Sequence, residues 1–161
     1  MAITGGYTLN HDSAFAGMVV DGQLNNIVSK TNLSQVTIPY GLGVVASGTD
    51  GMTAPASTNV AGDFIGVVVR ELNRAYQDSD TFGEPATYAG SVLTSGVIYV
   101  RVSTAVNARD PAFLNVGSAT PGQFANAAGT GATAAVQIPN AIFLTSASAG
   151  GLAKLSLKIG G

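Results

Sequence analysis

The stretch Leu152-Ala-Lys-Leu-Ser-Leu-Lys-Ile159 alternates without a break: Ala153, Leu155, Leu157 and Ile159 fall at one parity, Lys154, Ser156 and Lys158 at the other. Successive side chains of an extended chain point to opposite faces, so this pattern predicts a strand with one dry and one wet face. A second stretch repeats the pattern. In Gly96-Val-Ile-Tyr-Val-Arg-Val102, residues Ile98, Val100 and Val102 share one face, and Val97, Tyr99 and Arg101 the other. Ser91-Val-Leu-Thr precedes it, with a hinge predicted at Ser95-Gly96.

Further short β-type runs lie between turn residues. Ala16-Gly-Met-Val-Val20 leads into Asp21-Gly22, a dipeptide suited to a tight hairpin because both positions tolerate positive φ. Val36 to Val45 is β-rich but interrupted by Pro39, Gly41 and Gly43, which predicts an edge strand or a bulge. Phe64-Ile-Gly-Val-Val-Val-Arg70 reads as a buried strand, and Ala112–Val116 and Ala141–Thr145 as two more. Residues 47–62 and 117–135 read as loops rich in small residues, 71–90 as a charged surface loop, and Asn107–Pro111 as a turn. Some eight to ten short strands at this spacing, with no long helix, predict a mainly-β single domain: a β-sandwich or jelly-roll-like barrel with long loops.

Composition narrows the function. The 161 residues hold 46% hydrophobic and 10% charged residues, 21 glycines, one histidine, no cysteine and no tryptophan. Without cysteine there is no disulfide or thiolate metal site, which suits assembly in a reducing cytosol. The seven basic residues are scattered and the net charge is −2, so neither nucleic acid nor an anionic membrane is an expected partner. No basic, apolar leader opens the chain, and no apolar run approaches the roughly 20 residues of a membrane helix. A mean hydropathy of +0.33 with so few charges predicts surface hidden in a homo-oligomer or larger assembly.

No catalytic constellation emerges. His11 sits between Asn10 and Asp12-Ser13, but sequence neighbours rarely reproduce triad geometry. Asp78, Asp80 and Glu84 resemble a calcium loop only in alternation, and the required distal glutamate is missing. No enzyme activity and no cofactor or metal is expected. Residues 1–15 carry Ile3, Tyr7, Leu9 and Phe15 among Gly5-Gly6 and polar residues, without helix or strand period. They read either as a disordered terminus or as an extended arm that orders on a neighbour. The domain assignment is an N-terminal arm over 1–15 and a β-sandwich domain over 16–161, with Ile3, Tyr7, Leu9 and Phe15 as candidate contacts to a neighbour.

The order of blocks carries a resemblance. Ala16-Gly-Met-Val-Val-Asp21, Ile27-Val-Ser-Lys-Thr-Asn32 and Ile38-Pro-Tyr-Gly-Leu-Gly-Val-Val45 resemble the start of tailed-bacteriophage capsid cement proteins. Phe64-Ile-Gly-Val-Val-Val-Arg-Glu71, Gly96–Val102, Ala141–Ala147 and Gly150–Leu157 extend the likeness over about residues 14–158. Where such proteins often show a glycine before an Asp-Pro-type turn, this chain has Arg109 before Asp110-Pro111, which makes that turn a question for the structure. The resemblance implies a non-enzymatic protein on the exterior of an icosahedral head, made in the host bacterial cytoplasm and cementing joints between major capsid subunits. Its implied partners are the major capsid protein and further copies of itself, a trimer before a dimer. The competing class is a carbohydrate- or receptor-binding β-sandwich module of a phage tail or cell surface, for which Tyr7, Tyr40, Tyr76, Tyr88 and Tyr99 could form a sugar platform.

Overall fold

A computed structural model describes residues 14–20, 24–71 and 83–158. The strands are β1 (Asn26–Asn32), β2 (Ile38–Pro39), β3 (Gly43–Ser47), β4 (Gly51–Thr53), β5 (Phe64–Val68), β6 (Gly83–Glu84), β7 (Ala89–Arg101), β8 (Pro111–Asn115), β9 (Phe124–Ala125), β10 (Ala135–Phe143) and β11 (Leu152–Lys158). Two single 3-10 turns, Ala61–Asp63 and Gly131–Thr133, are the helical segments among the described residues. The mainly-β reading holds.

Nine strands form one sheet in the order β1-β4-β3-β5-β7-β11-β10-β8-β9, while β2 pairs with β6 apart from it. β1 also pairs with β7, so β1, β4, β3, β5 and β7 close into a five-stranded ring. The long strand β7 makes this possible. Val92 and Leu93 pair with β1 on one edge and β5 on the other, while Ser95 to Arg101 pair with β11. Ser95 faces both Asn26 of β1 and Lys158 of β11, so β11 continues the edge that β5 leaves. β7 is thus the shared stave between the ring and the β11-β10-β8-β9 layer.

Two apolar clusters follow from this topology. One contains Val44, Met52, Val68 and Val92 with Val28 packed against it, one residue from each ring strand, and therefore fills the ring; Ile38 and Tyr40 complete it. The other contains their sequence neighbours Val45, Val67 and Leu93 together with Ile98, Leu114, Phe124, Phe143 and Leu155. β3, β5 and β7 are dry on both faces here, which is why Phe64–Val69 reads as a continuous apolar run. β11 behaves as its alternation predicts: Ala153, Leu155 and Leu157 are at most 3% exposed. So do Ile98, Val100 and Val102, all at 0%.

Several local expectations are corrected. Ser95-Gly96 does not divide two strands, because β7 runs unbroken through it. The register with β1 nevertheless shifts between Asn26↔Ser95 and Ile27↔Leu93, so β7 carries one extra residue there. The residues facing the larger cluster change parity across that point, from Leu93 to Ile98. The 47–62 loop contains β4, with Met52 fully buried, and the 117–135 loop contains β9, with Phe124 fully buried. Glu84 is no surface residue but is buried in β6, and the 71–90 segment enters β7 at Ala89. The Asp21-Gly22 hairpin lies outside the described residues. Arg109 takes the glycine-like conformation, at φ 78°.

Candidate functional site

Two surface features stand out. The first is the place where the chain emerges from residues 1–13. Gly17 and Gly41 cross here with φ of 80° and 77°. A Cβ on Gly41 would stand 2.6 Å from the Gly17 nitrogen, so only glycine permits the approach. Three backbone bonds lock it: Gly17 N–H to Tyr99 O (2.8 Å), Arg70 N–H to Gly17 O (2.8 Å) and Gly41 N–H to Val68 O (2.9 Å). Beside this crossing the Arg70 guanidinium lies 4.5 Å from the centre of the Phe15 ring. Phe15, Tyr40, Leu42, Arg70, Arg101 and Leu152 line a groove of about 730 Å³. Phe15 remains 41% exposed.

The second feature is one end of the ring, built around Asn32, the last residue of β1. Asn32 is fully buried and uses every polar group it has. Its Nδ2 donates to the carbonyls of Val36 and Glu84 (both 2.9 Å), and its Oδ1 accepts from the Ser34 N–H (2.9 Å) and Oγ–H (2.6 Å). Its backbone N–H donates to Tyr88 O (2.9 Å), and its carbonyl accepts from Thr87 N–H (2.8 Å). Thr87 is held at φ 67°, an unfavourable conformation for a β-branched residue. This frame braces the 33–37 and 85–88 segments, which present Leu33, Val36 and Tyr88 at 50%, 62% and 60% exposure. Lys30 and Asp50 form an ion pair at the same end, between β1 and the β3–β4 turn.

Of the four candidate contacts read from sequence, the structure places Phe15 in the groove; Ile3, Tyr7 and Leu9 lie outside the described residues, as do His11, Asp78 and Asp80. Among the described residues no three His, Cys, Asp or Glu side chains come together. The described tyrosines form no single platform. Tyr40 is in the ring cluster, and Tyr88 and Tyr99, eleven positions apart across the start and body of β7, are separated by roughly 36 Å of extended chain. Tyr99 instead lies under the Lys154 ammonium, 5.5 Å from its ring centre. Sequence reasoning missed Leu33 and Val36 as exposed contacts and named Tyr88 only for a sugar platform. Their signal was available: large apolar residues in segments whose neighbours, Asn32, Ser34, Gln35, Thr37 and Thr87, are polar.

The family model described as structural cement protein (E217 gp24/Pam3 gp6) matches residues 3–158. No curated protein matches the chain. Among solved structures five chains match, and one of them, from the capsid of Myoviridae phage XM1, superposes with a TM-score of 0.73 over 98% of each chain at 17% identity. That likeness is one of fold. With the family match running over nearly its whole length, the chain belongs to the phage structural cement protein family.

Proposed function

We propose that this protein binds the exterior of an icosahedral phage head and cements joints between major capsid subunits, acting there as a homo-oligomer with a trimer favoured. Residues 1–15 serve as an arm, with Ile3, Tyr7, Leu9 and Phe15 as apolar anchors, and residues 16–161 as the β-domain. The observation that carries the reading, beside family membership, is the braced end of the ring. Leu33, Val36 and Tyr88 are large, apolar and more than half or half exposed, yet they stand on a frame fixed by a fully bonded buried asparagine. Folding gains little from apolar side chains left in water, whereas a rigid apolar projection loses little entropy when a partner covers it. Tyrosine is also enriched where interfaces concentrate their energy.

The test uses heads lacking this protein, to which purified full-length chain is added and the bound copies measured by co-sedimentation. Val36→Ser with Tyr88→Ser should leave the melting temperature within about 2 °C, as exposed substitutions do. Covering half of each side chain is worth about 1 kcal/mol, so head affinity should fall roughly tenfold or more. Decoration by the double variant at wild-type affinity would overturn the assignment of this surface. A particle reconstruction showing isolated copies without mutual contact would overturn the homo-oligomer.

A further inference from the structure

We infer that the groove beside the Gly17–Gly41 crossing receives residues 3–9 of a second copy of this chain, so that neighbouring copies are linked by exchanged arms. The inference rests on the arm reading above and adds the arm's receptor. Ala14 and Phe15 already belong to the groove wall, so the thirteen residues before them leave from its rim. At about 3.3 Å per extended residue, those thirteen reach at most roughly 43 Å.

The order of residues in that segment decides between self-docking and exchange. Next to Ala14 in sequence come Asn10-His11-Asp12-Ser13, four polar residues that span up to about 13 Å when extended. The apolar residues Leu9, Tyr7 and Ile3 follow beyond them. A segment meant for its own groove would place its apolar residues next to Ala14. Here four polar residues separate the apolar ones from the chain's own groove, an order that suits the same groove on a neighbour.

The chemistry of the groove fits those residues. Tyr40, Leu42 and Leu152 supply apolar wall, and Arg70 and Arg101 supply two guanidinium groups. Arg70 already stacks on an aromatic ring of this very region, Phe15. Arg101, exposed at the end of β7, offers the same kind of seat to Tyr7 of the incoming segment. Residues 3–9 carry no charge, so they bring no cation to repel the two arginines and no carboxylate to desolvate.

The chain has no cysteine, which makes the test clean. Full-length Leu9→Cys and Gln123→Cys are prepared separately, mixed, and treated with a short bismaleimide, both free and on heads; Gln123 lies on the groove wall. Arm exchange predicts a covalent pair formed between the two variants on heads as the main product, with little pairing within either variant alone. Arg101→Ala in the Gln123→Cys chain should lower the yield about two- to fivefold, the worth of one exposed cation–π contact. A bond formed only within a single chain carrying both cysteines would overturn the inference in favour of self-docking. Absence of any bond, with both variants melting normally, would overturn it as well, and Tyr7→Cys with Leu152→Cys repeats the test should the first pair misfold. Binding of all variants to heads is measured in parallel, so a lost cross-link with intact decoration sinks the arm exchange alone, whereas wild-type chain that never decorates heads sinks the capsid reading.

Discussion

Gly41→Ala is the sharpest perturbation of the fold at the Gly17–Gly41 crossing, because the structure separates its two costs. The first is conformational: at φ 77° a Cβ costs roughly 1–2 kcal/mol. The second is steric. The new Cβ would stand 2.6 Å from Gly17 N, 2.8 Å from Ala16 Cβ and 2.9 Å from Ala16 C, where ordinary contact begins at 3.4 Å. Relief requires the 16–17 segment to back away by up to about 0.8 Å, since repulsion rises steeply inside contact. Such a shift stretches the Gly17 N–H to Tyr99 O and Arg70 N–H to Gly17 O bonds, both 2.8 Å now, out of hydrogen-bond range. Two such bonds are worth about 2 kcal/mol net, which brings the total to about 3–4 kcal/mol. For a domain of this size that lowers the melting temperature by roughly 10 °C.

Gly150→Ala isolates the first cost. Gly150 has the same φ of 77°, but nothing lies within 4 Å of its would-be Cβ. Its expected loss is about 1–2 kcal/mol, or roughly 5 °C. Gly62→Ala, equally open and without positive φ, should be neutral or slightly stabilising. The three variants are compared by scanning calorimetry at one protein concentration, with hydrogen exchange read at the Gly17 and Arg70 amides. If Gly41→Ala melts no lower than Gly150→Ala, or those amides stay as protected as in the wild type, the close crossing does not hold this end of the chain and the reasoning is wrong.

Arg109→Gly should raise stability by about 0.5–1 kcal/mol, since relief of the left-handed backbone outweighs the added freedom of the unfolded chain; an unchanged or lower melting temperature would mean the arginine side chain holds the turn. Acid titration should weaken that same turn. The Asp110 carboxylate is held below its ordinary value of 3.8, first by the Asn126 Nδ2 donor and then by the Asn107 N–H, each at 2.9 Å. Because the folded value is the lower one, its contribution is complete above the ordinary carboxylate range and is lost as pH falls through that range toward the depressed native value. Asp110→Asn should remove this part of the acid dependence of melting; an identical pH profile in the variant would show that the carboxylate charge is not what the turn uses.

The sheet's parts were legible where one period governs a whole strand. Ala153, Leu155 and Leu157 alternate because β11 has one dry face, and Ile98, Val100 and Val102 alternate for the same reason. The reading failed where tertiary structure changes the rule inside a strand. At Ser95 one extra residue switches the face of β7 that meets the larger cluster, and in sequence that switch looks like a break. Strands of two or three residues, such as Gly51–Thr53 and Phe124–Ala125, are too short to show any period, although Met52 and Phe124 are fully buried. The site was less legible still. Phe15 announced itself as an isolated aromatic, but its seat under Arg70 joins residues 55 positions apart in the sequence. The exposure of Leu33, Val36 and Tyr88 follows from Asn32 turning inward, which no local pattern states.

Closure of the ring bears on how a cement protein of this kind can make contacts. An open sheet of apolar strands presents unpaired N–H and C=O groups to any other copy, and a protein displayed many times on one surface multiplies that hazard. Here β1 pairs with both β4 and β7, so the five ring strands leave no free end strand among themselves. The high apolar fraction is largely consumed inside, by one cluster within the ring and another between the ring and the outer layer. Left for a partner are projecting side chains, among them the set at the ring's end, and the groove beside the Gly17–Gly41 crossing. Contacts of that sort are specified by side chains on a rigid frame rather than by backbone pairing, so they discriminate one neighbour from another where a bare strand edge would accept almost any. With only 16 formal charges in the chain, seven basic and nine acidic, such contacts also draw little on long-range attraction. They must be brought into register by shape, which is the condition a repeating shell supplies.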